Sequence, residues 1–208
     1  MTFQFKMKLQ RITKPSVWRR IIVPAAITFD DFHNIIQDAF GWSNSHLYAF
    51  SPLGYRSSPQ IEAVPEEDEE TSDSFFSLNL FFNAVNSLNA AKTKLTDIFN
   101  REGQIFTYIY DFGDDWVHKI TLEKIDKLHD SSSAILLGGK GACPPEDCSG
   151  TYSFEEFKFI MADKSDPQRS ELLEWLDLGP NDEWDPNDYD LVLEANFFNQ
   201  IYKDKFKK

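Results

Sequence analysis

Residues 3–10 alternate without exception, with Phe3, Phe5, Met7 and Leu9 on one parity and Gln4, Lys6, Lys8 and Gln10 on the other. A period of two sends the two sets to opposite faces of a strand, so the chain must open in a sheet with one wet face and one face covered by another layer. The turn signal Thr13-Lys14-Pro15-Ser16 follows. The β-branched and aromatic run Val17 to Val23, bounded by Pro24, predicts the return strand of a hairpin. Thr28 stands three residues before Asp31 in an acidic capping-box pattern. Phe32, Ile35, Ile36, Ala39 and Phe40 then recur at helical spacing up to Gly41, which predicts a helix over 29–40 as the covering layer.

Further along, His46 to Phe50 reads as a third strand. Ile105 to Tyr110 and Trp116 to Leu122 read as two more, joined through Asp111-Phe112-Gly113-Asp114-Asp115. Thr96-Asp97 reads as the cap of a short helical turn before Gly103. Residues 54–74 lose periodicity around Glu66-Glu67-Asp68-Glu69-Glu70 and read as a mobile, solvated loop, with an acidic lure for a basic partner as the functional alternative. The neighbouring apolar stretch from Phe75 to Phe82, continued by Val85 and Leu88, is too apolar for water and reads as helix or strand. It must pack as core, or, if exposed, serve as a homodimer face. After the Gly-rich stretch 138–150 the period turns helical, with a capping box at Ser153 and Glu156, an opening at Asp166-Pro167 with a stop at Gly179, and a cap at Asp190. Strands first and helices after define an α+β fold, expected as a roll: a mostly antiparallel sheet of five or more strands, a ββα start and a C-terminal helical layer.

The 208 residues fit one domain, and a chain of this length needs no disulfide or metal to fold. Thirty-four acids against 21 Lys plus Arg give a net charge of −13, the wrong overall field for general nucleic-acid binding. No stretch has the length and apolarity of a membrane span or signal peptide, so a cytoplasmic protein that does not enter the membrane is expected.

Chemistry-bearing residues concentrate at 110–118, where three carboxylates and an imidazole lie between aromatic rings. Two readings fit. His118 shares a strand face with Trp116, Ile120 and Leu122, so it is either a half-buried imidazole bonded to a carbonyl or carboxylate, or a ligand or general base oriented by Asp111 or Asp114. Cys143 and Cys148, with four residues between them, are free or packed thiols of a reducing compartment, two ligands of a zinc site completed by His46 and His118, or a disulfide. Arg19 and Arg20 are adjacent and take opposite faces. Whichever points inward would find the hairpin aspartates as partners, in a structural ion pair or an anion clamp. Phe40-Gly41-Trp42 is a helix stop and core anchor, and His33 is a packed or capping group. No nucleophile elbow, phosphate loop, HExxH helix or dinucleotide fingerprint is present.

Four motifs in order, Trp18-Arg19-Arg20 with Val23-Pro24, Phe40-Gly41-Trp42 with Ser45-His46-Leu47, Tyr110 to Trp116 with His118, and Gly141 to Cys148, closely resemble the plasmid pRiA ORF-three-like family. The resemblance spans nearly the whole chain, including Asp185-Pro186 and Asp190-Leu191 near its end. It departs at about 54–94, which looks like a variable acidic and Phe-rich insertion in a single domain over 1–208. It implies a small α+β protein of plasmids and mobile elements, some members being labelled transposon passenger or TnpR, and brings no activity with it. Serine recombination would need a nucleophilic serine among arginines and a basic DNA-binding region, against the −13 charge and six dispersed arginines here.

Two functions follow. The first is a noncatalytic binding or adaptor module, accessory to a mobile element, in which Arg19, Trp42, His46, Tyr110, Asp115 and Trp116 shape a groove for a protein or small-molecule ligand. The second is a metal-dependent hydrolase or nuclease-like enzyme. Its candidate ligands are His46, His118, Asp111, Cys143 and Cys148, its general base is Asp114 or Asp115, and zinc is the expected cofactor.

Overall fold

A computed structural model of the chain describes residues 1–55, 57–63 and 87–207. The opening alternation becomes β1 (Thr2–Leu9), paired antiparallel with β2 (Trp18–Pro24), and Phe3, Phe5, Met7 and Leu9 are all buried. Helix α1 (Phe29–Phe40) follows. Thr28 Oγ1 accepts from the Asp31 N–H while the Asp31 carboxylate accepts from the Thr28 N–H, both at 3.1 Å, which satisfies two donors the helix start would otherwise leave unpaired. At the other end Gly41 takes a φ of +83° and returns its N–H to Gln37, a geometry that favours glycine.

Strands β3 (Tyr48–Ser51), β4 (Gln60–Glu62), β5 (Ser87–Asn89), β6 (Ile105–Tyr110), β7 (Trp116–Asp126) and β8 (Ile135–Lys140) complete one eight-stranded sheet in the order β5-β4-β3-β6-β7-β1-β2-β8. All neighbours are antiparallel except β4 and β5. The fold is the α+β sheet expected. Three strands are added to the five read from sequence: β4 is fully buried inside a stretch read as loop, β5 lies at the end of the apolar stretch beginning at Phe75, and β8 forms where Gly138 and Gly139 suggested none. The acidic run 66–70 and Phe75–Phe82 lie outside the described residues.

One sheet face packs on α1 through interlocked rings. Phe5 touches Phe32 and Phe99, while Phe29 touches Phe50 and Phe106. The short α2 (Leu95–Ile98) starts one residue before the expected Thr96; Asp97 caps it by accepting from the Lys94 N–H. The C-terminal layer comprises α3 (Gly150–Ala162), α4 (Arg169–Trp175) and α5 (Leu191–Ile201). Helix α3 begins before Ser153, which therefore sits inside it and caps nothing. Helix α4 ends short of Gly179. Helix α5 is capped as expected, Asp190 accepting from the Val192 and Leu193 N–H groups. Among the described residues no helix is long and apolar enough to cross a membrane.

Candidate functional site

At the C-terminal end of α1, loop 141–149 folds over the sheet and α1 as a strap. Trp42 donates its indole N–H to the Pro144 carbonyl at 3.0 Å. Glu146 accepts from the Ser43 backbone N–H at 2.8 Å, from the Ser43 hydroxyl, and from the Tyr110 hydroxyl. Burial pushes the Glu146 carboxyl up, but these donors outweigh it and hold it below the usual range. The strap ends against the 111–115 hairpin so closely that a Cβ on Gly150, whose φ is +82°, would lie 2.5 Å from the Asp114 carbonyl oxygen.

Beneath the strap the aromatic anchors close up instead of opening a groove. Trp42 packs on Tyr110 and Trp116, and all three are buried. His118 is wholly enclosed by Phe40, Trp42 and Tyr108. Its Nδ1 lies 2.9 Å from the Trp116 carbonyl, so that nitrogen carries the proton. Burial, helped by the nearby charge of Arg19, pushes its pKa down to about 3. His33 behaves alike: it contacts the Tyr108 hydroxyl and the Asn44 side chain, and burial lowers it to about 4.

Arg19 is the inward-facing arginine, 2 % exposed, and its partners are not the hairpin aspartates. Its guanidinium donates to the carbonyls of Ala39, Trp18, Lys140 and Gly141 and lies over the Tyr189 ring. Desolvation lowers its pKa. The reason is topological: β2 delivers Arg19 to the strap's backbone beside β8, whereas the hairpin aspartates lie in the turn between β6 and β7.

Among the described residues one group of side chains has metal-ligand spacing. His46, Asp111 and Asp147 bring one donor atom each within 4.8 Å of one another. His46 Nε2 is 3.0 Å from Asp147 Oδ1 and 3.7 Å from Asp111 Oδ2. The zinc set drawn from sequence does not assemble: His118 is sealed behind Trp42, and the cysteines stand outside the group. Both thiols are free, and burial raises them, Cys148 to about 12 and Cys143 further. In the hairpin, Asp111 takes a φ of +54° and accepts from the Gly113 N–H, an ordinary turn bond. Asp115 is held by Tyr55 and Arg11. Asp114 is raised by burial first and by the Asp111 charge second.

Sequence reasoning passed over Glu146 and Asp147 as site residues. Their only signal is that two acids sit between the prolines and Cys148, in a loop where no periodicity assigns a direction. Beside Asp147 a surface hollow of about 280 Å³ opens, with Phe157, Ile160, Leu172 and Trp175 among its apolar lining and Glu156 and Gln168 among its polar lining.

A family model described as "Plasmid pRiA4b ORF-3-like protein" matches residues 1–192, a span that includes both hairpins, the helix stop and the strap. The chain belongs to that family. A curated member-like relative, the uncharacterized protein y4hQ of Sinorhizobium fredii, is 33 % identical over 175 residues, covering 83 % of this chain and 79 % of that protein. The crystal structure of a protein of unknown function, MM3350 from Methanosarcina mazei Go1, superposes with a TM-score of 0.68 at 28 % identity, covering 92 % of this chain and 96 % of that one. The pRiA4b ORF-3-like fold is therefore the α+β sheet described above.

Proposed function

We propose that this protein is a noncatalytic binding module whose ligand sits in the hollow between α3 and α4 with a cationic group at Asp147. One observation carries the reading: Asp147 belongs both to the rim of that hollow and to the His46–Asp111 group, so an apolar recess and an acidic corner share one side chain. Phe157, Ile160, Leu172 and Trp175 supply the apolar walls, Ser149, Ser153 and Gln168 neutral polar contacts, and Glu156 a second carboxylate beside Asp147. The ligand class is an amphipathic amine, either a small molecule or a basic side chain of a partner protein. The plasmid in the family's name suits an accessory factor of a mobile element, and two free thiols suit the reducing cytoplasm.

Titration of the labelled protein with an aryl-alkylamine, followed by amide and indole NMR shifts, tests this. Saturable shifts at Ser149, Ser153 and Trp175 that Asp147→Asn weakens support it; shifts scattered over the surface refute it.

The second reading, a metal-dependent hydrolase, draws on the His46–Asp111–Asp147 spacing alone. Elemental analysis of protein purified without added metal decides between them. A stoichiometric metal that His46→Ala removes would displace the binding reading.

A further inference from the structure

The sheet face turned away from α1 carries the reverse of the protein's overall charge. In-register pairing places Lys119, Lys8, Trp18 and Lys140 in one row across β7, β1, β2 and β8, and Lys6 and Arg20 in the next row. Lys124 lies opposite Gln4 on the same face. On β1, β2, β7 and β8 six cations thus stand against two carboxylates, Glu123, hydrogen-bonded to Arg20, and Asp126, which lies 3.8 Å from Lys124; the further carboxylate on this face, Glu62 of β4, is buried and accepts from Ser87. Lys8, Lys119 and Lys140 are exposed, and among the described residues none has a carboxylate within 4.0 Å. Lys8 directly opposes Lys119, a cross-strand like-charge pair that is unfavourable unless an anion bridges it. Trp18 lies among them, its ring centre 4.5 Å from Lys6 Nζ and 5.2 Å from the Arg20 guanidinium.

We infer that this face binds single-stranded nucleic acid, its cations contacting phosphates and Trp18 offering a stacking surface. Rows about 4.8 Å apart across the strands and about 6.8 Å along them present charges over an area that a short segment of single strand can track. These cations stand on strands of the sheet and not on a helix that could enter a duplex groove, which favours a single strand over a duplex. The acidic remainder repels polyanions, but salt confines that repulsion to about 8 Å at physiological strength. Binding is therefore local to this face and weak, which accords with the absence of a general basic character.

Fluorescence anisotropy of a labelled single-stranded oligonucleotide of about 12 residues, at about 50 mM salt, tests the inference. The full chain is expected to bind saturably. The triple variant Lys6→Ala/Lys8→Ala/Lys119→Ala should weaken binding about tenfold or more and flatten the log–log salt slope by about 2, with a native far-UV circular dichroism spectrum and a cooperative melt showing that the fold is kept. Trp18→Leu should weaken it about fivefold or more, the loss of one stacked base. Absence of binding, equal affinity in the triple variant, or displacement by polyglutamate as effective as by unlabelled oligonucleotide would each overturn it, the last in favour of an acidic polypeptide. Because Asp147→Asn leaves this face untouched, failure here is distinguishable from failure of the amine-binding reading.

Discussion

The Arg19 guanidinium lies 3.8 Å from the centre of the Tyr189 ring, and Tyr189 in turn lies on the bare backbone of Gly139, where an added Cβ would stand 2.4 Å from the ring. A charge taken out of water without a carboxylate survives because four carbonyls and two aromatic faces, Tyr189 and Phe40, replace its hydration. Arg19→Met keeps much of the volume but leaves those carbonyls without donors. It should cost about 3 kcal/mol in urea unfolding.

Gly139→Ala should push Tyr189 off the guanidinium and cost about 1–2 kcal/mol, the scale of a desolvated cation–π contact. Gly139 has no positive φ, so the backbone itself accepts alanine. In a Tyr189→Ala background the same change should be nearly neutral. A double-mutant cycle reads this coupling directly, and additivity of the two changes would refute the contact.

These contacts mark the limit of what the residue pattern could reveal. Period-two and helical spacing placed β1, β2, α1, β6 and β7, because there each residue's face is set by its neighbours. Strand β8 escaped because Gly138 and Gly139 carry no side chain to alternate. Gly139 must be glycine because Tyr189 lies where a Cβ would stand, whereas a Cβ on Gly138 would meet Trp18 at an ordinary 3.6 Å. Adjacency told us that one of Arg19 and Arg20 turns inward; it could not say that the inward one would meet backbone rather than carboxylate, since that depends on a strap more than 120 residues away. The parity of Lys6, Lys8 and Lys119 was equally visible in the pattern, but their union into one basic face required the register between strands.

Acid should destabilise the protein before most carboxylates titrate. His118 and His33 are held neutral in the folded state, at about 3 and about 4, whereas the unfolded chain protonates both near 6.5. The unfolded state therefore binds more protons between those limits, so stability present above pH 6.5 is lost as pH falls toward 4, at up to about 2.7 kcal/mol per pH unit for two histidines. Urea midpoints at pH 7, 6 and 5 measure the slope. His33→Gln should remove about half of it; an unchanged slope would mean that the imidazole is not kept neutral.

Neither thiol should behave as a nucleophile in the folded protein. Burial dominates the nearby Arg19 charge at Cys143, and Cys148 sits at about 12, so at pH 8 both are almost wholly protonated. Alkylation by iodoacetamide should run roughly a thousandfold slower than for an unperturbed cysteine and rise to the ordinary rate in urea. Rapid labelling without denaturant, read by intact mass, would contradict this.

The strap should open through Glu146. Its carboxylate accepts from two Ser43 donors and the Tyr110 hydroxyl, and a glutamine there offers one acceptor oxygen and an amide that cannot take the others. Glu146→Gln should cost about 1–2 kcal/mol and raise hydrogen exchange at 142–148 while the β1, β6 and β7 amides keep their protection. Since its folded pKa is depressed, the same opening should appear in the unmodified protein as pH falls below about 4.5. Asp147 is the next residue of the strap, so amine binding in the α3–α4 hollow should weaken alongside. Loosened exchange with undiminished amine binding would separate the hollow from the strap and leave Asp147 without a part in recognition.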